Sequence, residues 1–461
     1  MRSIFLIILL AAVTIRTLGA PVAGVLGWTW LSLMTPHKLA WGFASSWPLN
    51  EFLVAVTLVS WLFSKESKRL PPLNTMTWLW FAFIVLMTIT TFHALNPDMA
   101  SVRWDKAIKI MALGLVVAML MTDAKRLHGL VWVIVVSLGY FSVKGGLTTI
   151  LTAGHSHVQG PPSTSITDNN YLALAMCMTI PLMYYLRKHS SNRYTQIGLS
   201  VAIGLSFIGV LGTYSRGGFV GLLIMALFLW WRSRRRVLFA ALAVAIIIPA
   251  AAFMPQSMLD RMSSVKDASQ QVTFLTRLDS WKVAYHLAGD HPLLGGGFGA
   301  TEKPSVYQEY SRGESVFAGN RHLVEIQYAR HVQNLNSQQL LDMFPPEFTG
   351  GHAVHSIYLQ VLADHGYLGL VIFVLLLGTL WVRLGKIRKA TRKIEDYQWA
   401  HDLATMLQIS LLTFLTAGAA LSMSYYDLPY LFIGMTLAME KCVLGALTER
   451  AKAPQLAPSL A

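Results

Sequence analysis

The chain has 461 residues, 54% of them hydrophobic and only 13% charged, with a formal charge of +14. Soluble domains carry about 25% charged residues, so this composition excludes an ordinary soluble globular protein. The positive charge does not indicate nucleic acid either, because the basic residues sit in short loops between long apolar blocks, the pattern that fixes orientation in a membrane and favours contact with membrane lipids.

Apolar blocks fall at 3–18, 21–35, 50–63, 76–93, 107–121, 130–151, 171–186, 196–213, 218–231, 237–254, 356–382, 403–422 and 429–447. A hydrocarbon core about 30 Å thick sets this length scale. Backbone in lipid must satisfy its hydrogen bonds internally, and blocks of this length suit helices rather than barrel strands. The expected fold is an all-α polytopic membrane protein of roughly 12–14 transmembrane helices. The first block follows Arg2 and mimics a signal peptide. However, Thr17-Leu18-Gly19-Ala20 is followed by Pro21, a poor cleavage site, so the hairpin reads as retained. Cys177 and Cys442 both lie in apolar blocks, which argues against a disulfide framework.

Every second loop is basic. These are Lys65-Glu66-Ser67-Lys68-Arg69, Lys125-Arg126, Arg187-Lys188 with Arg193, Arg232-Ser233-Arg234-Arg235-Arg236, and residues 383–393 with six Lys/Arg. That side reads as cytoplasmic. The opposite loops are 36–49, 94–106, 152–170, 214–217, 255–355 and 423–428. Trp28, Trp30, Trp41, Trp47, Trp78, Trp80, Trp230 and Trp231 lie near block ends, as an interfacial belt does. Four regions follow: an N-terminal transmembrane region (1–165), a second membrane region (166–254), a long outer loop (255–355), and a C-terminal membrane region with its tail (356–461).

The outer loop holds about a hundred residues, too many for a mere connection. Leu275, Leu278, Trp281 and Tyr285 recur at helical spacing, which predicts a helix. His291-Pro292 ends it, Gly295-Gly296-Gly297-Phe298-Gly299 forms a turn, and weak helical stretches follow around 321–343 before Pro345-Pro346.

Several outer-side groups could carry chemistry. Tyr214-Ser215-Arg216-Gly217-Gly218 joins two spans with almost no loop, so Arg216 is held at the membrane surface; an arginine there also snorkels to lipid phosphates. Arg277 and Trp281 are four residues apart, on one helix face, which also suits a surface helix anchored on the bilayer. His355 opens a stretch of 28 residues to Val382, about 42 Å as helix, so its first turns must project to the outer interface. There a neutral His355 can act as a base, and a helix N-terminus favours the neutral form. Lys144 lies inside the block 130–151 beside two glycines; an intramembrane lysine is a functional candidate or a snorkelling cation. Asp168-Asn169-Asn170 opens the next span, a position that suits a helix cap. The histidine pairs 352/355, 155/157 and 286/291 lack HExxH or facial-triad context, and no GK[ST] follows the glycine run, so neither a metal nor a nucleotide cofactor is expected.

Arginines pair with phosphate oxygens in a bidentate way. Two arginines and a lysine beside a histidine therefore suit a lipid-linked pyrophosphate. The cations stabilise charge on the departing group, and the histidine accepts a proton from an attacking hydroxyl. A transporter would place polar groups at mid-bilayer in several spans and would show internal repeats; here the charges gather at the surface. A structural subunit of a polysaccharide assembly is the third reading.

The motifs also carry a resemblance. Thr213-Tyr214-Ser215-Arg216-Gly217-Gly218 resembles the T-x-S-R-G-G element of the O-antigen ligase and polymerase superfamily. Arg277-x-x-x-Trp281 with His291-Pro292-Leu293-Leu294-Gly295 resembles its outer-loop segment, and residues 355–366 resemble its H-N-x-Y-L-Q-x-L-x-E-x-G element, with Ser356 in place of the Asn. Asp168-x-Asn170 resembles its D-x-N element, so the resemblance covers about 165–440. Met34-Thr35-Pro36-His37-Lys38 and the residues to Gly42 resemble the branch of O-glycosylation ligases associated with exosortase-type exopolysaccharide systems. The superfamily implies a metal-independent, inverting glycosyltransferase of the bacterial inner membrane, its active site facing the periplasm. It moves a glycan from undecaprenyl pyrophosphate to a lipid, protein or glycan hydroxyl, as ligase or as polymerase. By motif, the resemblance implies His355 as general base with Arg216 and Arg277 on pyrophosphate; Lys144, Asn170, Tyr214, Ser215 and Trp281 are the expected substrate-binding residues.

Overall fold

The computed structural model describes residues 2–40, 43–66, 68, 70–232, 272–311 and 351–447. The expected span at 237–254, the arginines 234–236, the stretches around 321–343, Pro345-Pro346 and Trp41 lie outside the described residues.

Within them the chain is helical, with no strand: α1 (Arg2–Gly19), α2 (Pro21–Met34), α3 (Pro36–Ala40), α4 (Leu49–Phe63), α5 (Thr75–Phe92), α6 (Pro97–Leu120), α7 (Ala124–Leu151), α8 (Asn169–His189), α9 (Arg193–Gly212), α10 (Arg216–Arg232), α11 (Val272–Asp290), α12 (Pro304–Ser311), α13 (Ile357–Thr391), α14 (Gln398–Ala417) and α15 (Asp427–Met439). Each apolar block in the described residues has become a helix. Seven of these helices are long and apolar enough to cross a membrane, and the shorter apolar α2, α4 and α10 accompany them. Among the described residues, some of the other helices fall short of that length or apolarity for physical reasons. α2 and α4 have only 14 and 15 residues, and α6 carries Asp98, Arg103, Asp105, Lys106 and Lys109 in its first half. The stretch expected as the outer loop 94–106 is therefore mostly helix, started by Pro97, whose missing N–H costs nothing in the first turn.

The bundle centres on α8, which is buried on all sides from Leu172 to Leu186 apart from Tyr184 and packs against α7, α9, α10 and α14. A helix that is apolar all round belongs in such a position. α15 is likewise buried from Asp427 to Met439 and packs on α6. Trp28 and Trp80 are correspondingly 3% and 0% exposed; they are core residues, not members of the tryptophan belt. Trp47, Trp78, Trp230 and Trp231 are exposed. Arg187 and Lys188 close α8 at the end opposite Asn170, so the basic loop and the candidate site lie at opposite ends of that helix.

α11 ends at Asp290, and the turn that follows is bolted onto α13. Gly296 N–H donates to Ala363 O at 2.8 Å, Gly297 N–H to Asp364 O at 2.9 Å, and Tyr367 N–H to Pro292 O at 2.8 Å. Those α13 carbonyls are free because α13 is two helical segments meeting at Gly366, where φ is 68° and ψ is −170°. That backbone region is open essentially only to glycine. A Cβ on Gly366 would lie 2.5 Å from Pro292 O, and one on Gly295 would lie 2.6 Å from Ala363 O. Gly366→Ala is expected to cost about 2–4 kcal/mol locally, from strain plus a backbone clash. Limited proteolysis in membranes should show faster cleavage near 291–299 in this variant, and equal rates would count against the clamp.

Beneath the turn, Asp364 accepts from Gly299 N–H at 3.0 Å and from Tyr425 O–H at 3.0 Å. His365 bridges Tyr425 at 2.9 Å and Thr90 at 2.7 Å. This network ties α5, the turn, α13 and the segment before α15 into one frame for the site.

Candidate functional site

His355 sits two residues before α13, whose N-cap is Ser356. Its backbone is left-handed, with φ 54°, and its N–H donates to Ser422 Oγ at 2.7 Å. The preceding residue is also held: Trp281 Nε1 donates to Val354 O at 2.9 Å. The histidine is thus fixed by a hydroxyl from the α14–α15 connection and an indole from α11. Left-handed φ at a residue other than glycine costs about 1–2 kcal/mol; such strain persists where surrounding contacts dictate it, often at functional sites.

The imidazole is half-buried, and its surroundings oppose a positive charge. Burial pushes its pKa below the ordinary histidine value, Arg277 pushes it the same way, and Asp168 pulls weakly back. The neutral form was expected from a helix N-terminus; the larger causes are burial and the guanidinium. Arg277 stands on α11, one turn from Trp281. Burial and the nearby Arg216 both lower its pKa, with Asp168 and Tyr171 opposing. Its Nε is buried and has no hydrogen-bond partner among the described residues. Two guanidinium groups that repel each other, one with a buried donor unspent, define a place for an anion.

Arg216 is exposed and is the first residue of α10. A cation at a helix N-terminus is unfavourable for the helix alone, but the same end binds phosphate through its N–H groups. The turn that presents it is built by its neighbours. Tyr214 has φ 54°, donates to Gly154 O, and stacks on His157 with centroids 5.4 Å apart. Ser215 Oγ donates to Asn170 Oδ1 at 2.7 Å and accepts from Gly218 N–H at 2.9 Å. Asp168 caps α8 by accepting from Asn170 N–H at 2.8 Å, as the sequence suggested. Asn170, Tyr214, Ser215 and Trp281 therefore use their polar atoms to hold the frame in place.

Lys144 is exposed and lines a cavity of about 310 Å³ with His157 and Gln159. A neighbouring cavity of about 620 Å³, which Gln159 also lines, is walled by Asp168, Tyr171, Arg103, Lys106, Glu302 and Ser422, among others. His355, Arg277 and Arg216 are among the lining residues of neither. Arg103 is paired to Glu302 at 2.6 Å. Arg103, Lys106, Glu302 and Ser422 escaped the sequence reading. The only available signals were the charges opening α6 and the hydroxyl run Ser422-Met423-Ser424-Tyr425-Tyr426 between two apolar blocks. Trp281→Phe keeps an aromatic side chain, though a smaller one, and removes the hydrogen bond to Val354 O, worth about 1 kcal/mol. If Trp281 positions His355, turnover should fall about fivefold with KM little changed; a rise in KM alone would make it a substrate contact instead.

Fold and site define a multi-pass, all-helical membrane protein with a cationic, histidine-bearing centre at one end of the bundle. Residues 201–374 match the family model described as O-antigen ligase; this domain supports the O-antigen ligase superfamily and glycan transfer by ligase- or polymerase-type enzymes. Residues 1–191 match a family of unknown function, DUF5935. Comparison with curated proteins finds no match. Arg216, Arg277 and His355 fall in the ligase domain, whereas Asp168 and Asn170 come from the other region.

Proposed function

We propose that this protein transfers a glycan from an undecaprenyl-pyrophosphate donor to an acceptor hydroxyl at the periplasmic face of the inner membrane, as an O-antigen or O-glycosylation ligase of the exosortase-associated type. The observation that carries the reading is the meeting of Arg277, with its unpaired buried Nε, Arg216 and an imidazole held neutral. His355 takes the proton of the acceptor hydroxyl. The oxygen attacks the anomeric carbon from the face opposite the pyrophosphate, the new C–O bond forms as the old one breaks, and the configuration inverts. The electron pair leaves on pyrophosphate, where the two guanidinium groups stabilise the growing charge without a metal ion.

The test uses purified full-length protein in vesicles with lipid-linked glycan extracted from the producing cells. Release of undecaprenyl pyrophosphate together with a glycosylated acceptor supports ligation. Elongated lipid-linked glycan makes the protein a polymerase. Movement of donor between leaflets without product makes it a transporter and defeats the proposal.

A further inference from the structure

A second cavity, about 640 Å³, opens between α2, α4 and α6, lined by the region matching the family of unknown function and by Asp427 of α15. Its size falls in the ligand-pocket range. Lys106, Thr164 and Ser165 line both it and the 620 Å³ cavity beside Asp168, so the two spaces adjoin across the segment that leads to Asp168.

The chemistry of its wall differs from that of the arginine site. The cations Lys38, Lys106 and Lys109 are matched by the carboxylates Glu51, Asp105 and Asp427. Lys109 is held by both Glu51 and Asp105 at 2.6 Å, and Asp427 accepts from Ser32. A charge-balanced wall does not trap phosphate. The remaining polar groups are mainly hydroxyls (Ser32, Thr35, Ser163, Thr164 and Ser165), with the Asn50 amide and the His37 imidazole. Three buried polar atoms on this wall, Thr35 Oγ1, His37 Nδ1 and Asn50 Oδ1, have no hydrogen-bond partner among the described residues. Native interiors hold few such atoms, and each calls for a partner. Thr35 also has left-handed backbone, φ 46°.

We propose that this second cavity binds uncharged sugar units of the glycan, one or more residues away from the reacting bond, so that the N-terminal region supplies a carbohydrate subsite to the ligase domain. Sugars present dense hydroxyls that both donate and accept, which suits hydroxyl, amide and paired carboxylate groups better than it suits a lipid chain or a phosphate. The inference rests on the transferase reading. The sugar units belong either to the donor glycan or to a glycan acceptor, and the test separates the two.

Full-length protein carrying p-benzoylphenylalanine at Asn50 is irradiated in vesicles containing the extracted lipid-linked glycan; a second form carries the photoprobe at Gln159, which lines the 620 Å³ cavity and the one beside Lys144 but not the second cavity. The expected result is a sugar-bearing adduct at position 50. An adduct that keeps polyprenyl pyrophosphate assigns the subsite to the donor, and one without it to the acceptor. Sugar capture at 159 but not at 50, or capture of only phospholipid or peptide at 50, overturns the subsite and leaves the transferase reading intact. Absence of sugar at both positions overturns the subsite, and absence of product in the unmodified protein as well overturns the transferase. Independently, Asn50→Ala should raise KM for the glycan about fivefold with turnover within about twofold, the effect of one lost hydrogen bond. An unchanged KM overturns the subsite.

Discussion

His355→Ala is expected to lower glycan transfer by about 10²–10⁴-fold, the usual contribution of a positioned general base, while insertion and the helical content stay intact. Alanine is strained at φ 54°, so the decisive variant is His355→Asn. Asparagine tolerates left-handed backbone but offers no base near neutral pH. If His355→Asn retains wild-type transfer, the base assignment is wrong. The pH profile supplies a second signature. Charging His355 is opposed by burial and by Arg277, so its pKa lies below the ordinary value. The neutral form is the working form; turnover should therefore be flat through neutrality and fall only at more acidic pH. Removing the guanidinium in Arg277→Met relieves repulsion of the imidazolium and raises that pKa. The acid limb of the residual activity should then move to higher pH, and a limb that stays in place would remove the electrostatic link between the two residues.

The second large effect belongs to Arg277 itself. Arg277→Ala is expected to lower turnover by about 10²–10³-fold, the scale seen when a donor aimed at developing charge is deleted. Because that charge grows in the transition state, turnover and kcat/KM should fall by similar factors. Arg277→Lys keeps the charge but loses the planar fork, and should recover only part of the loss. A rise in KM with unchanged turnover would show that Arg277 merely binds the ground state. Arg216, exposed at the start of α10, should show a smaller effect, because solvent screens its charge.

The helices were legible from hydropathy because each block reports its own burial, and α11 was legible as a helix from the spacing of Leu275, Leu278, Trp281 and Tyr285; its register was not, because the buried face is Asp279, Ser280, Val283, Ala284, Leu287 and Ala288 while Tyr285 is 61% exposed. The stop at His291-Pro292 and the glycine turn were likewise local signals. What could not be read is which distant segments meet. Ser422 reaches His355 across 67 residues, Asp364 reaches Gly299 across 65, and Thr90 reaches His365 across 275; periodicity carries no information about such pairs. The left-handed backbone of His355 was equally hidden, since it is dictated by contacts and not by residue type. Lys144 drew attention because a lysine in an apolar block is costly, and α7 carries it to a cavity that the two arginines and His355 do not line. Trp28 and Trp80 misled in the opposite sense: a tryptophan near a block end reads as interfacial, but neighbouring helices cover both.

The break at Gly366 separates two mechanical duties within one 35-residue helix. Residues 357–365 are locked to the glycine turn and to Ser424, which donates to Ile357 O at 2.8 Å. Residues 367–391 are long enough alone, about 37 Å, to cross the hydrocarbon. A bilayer that is too thick or too thin is accommodated by tilt of the spanning helices. Because the glycine turn is bonded on both sides of Gly366, to Ala363 and Asp364 before it and to Tyr367 after it, the break changes the direction of the chain while holding the start of the spanning segment to the site. Transfer rates in vesicles of differing acyl-chain length are expected to vary little, and a steep dependence would show that tilt of the spanning segment reaches His355.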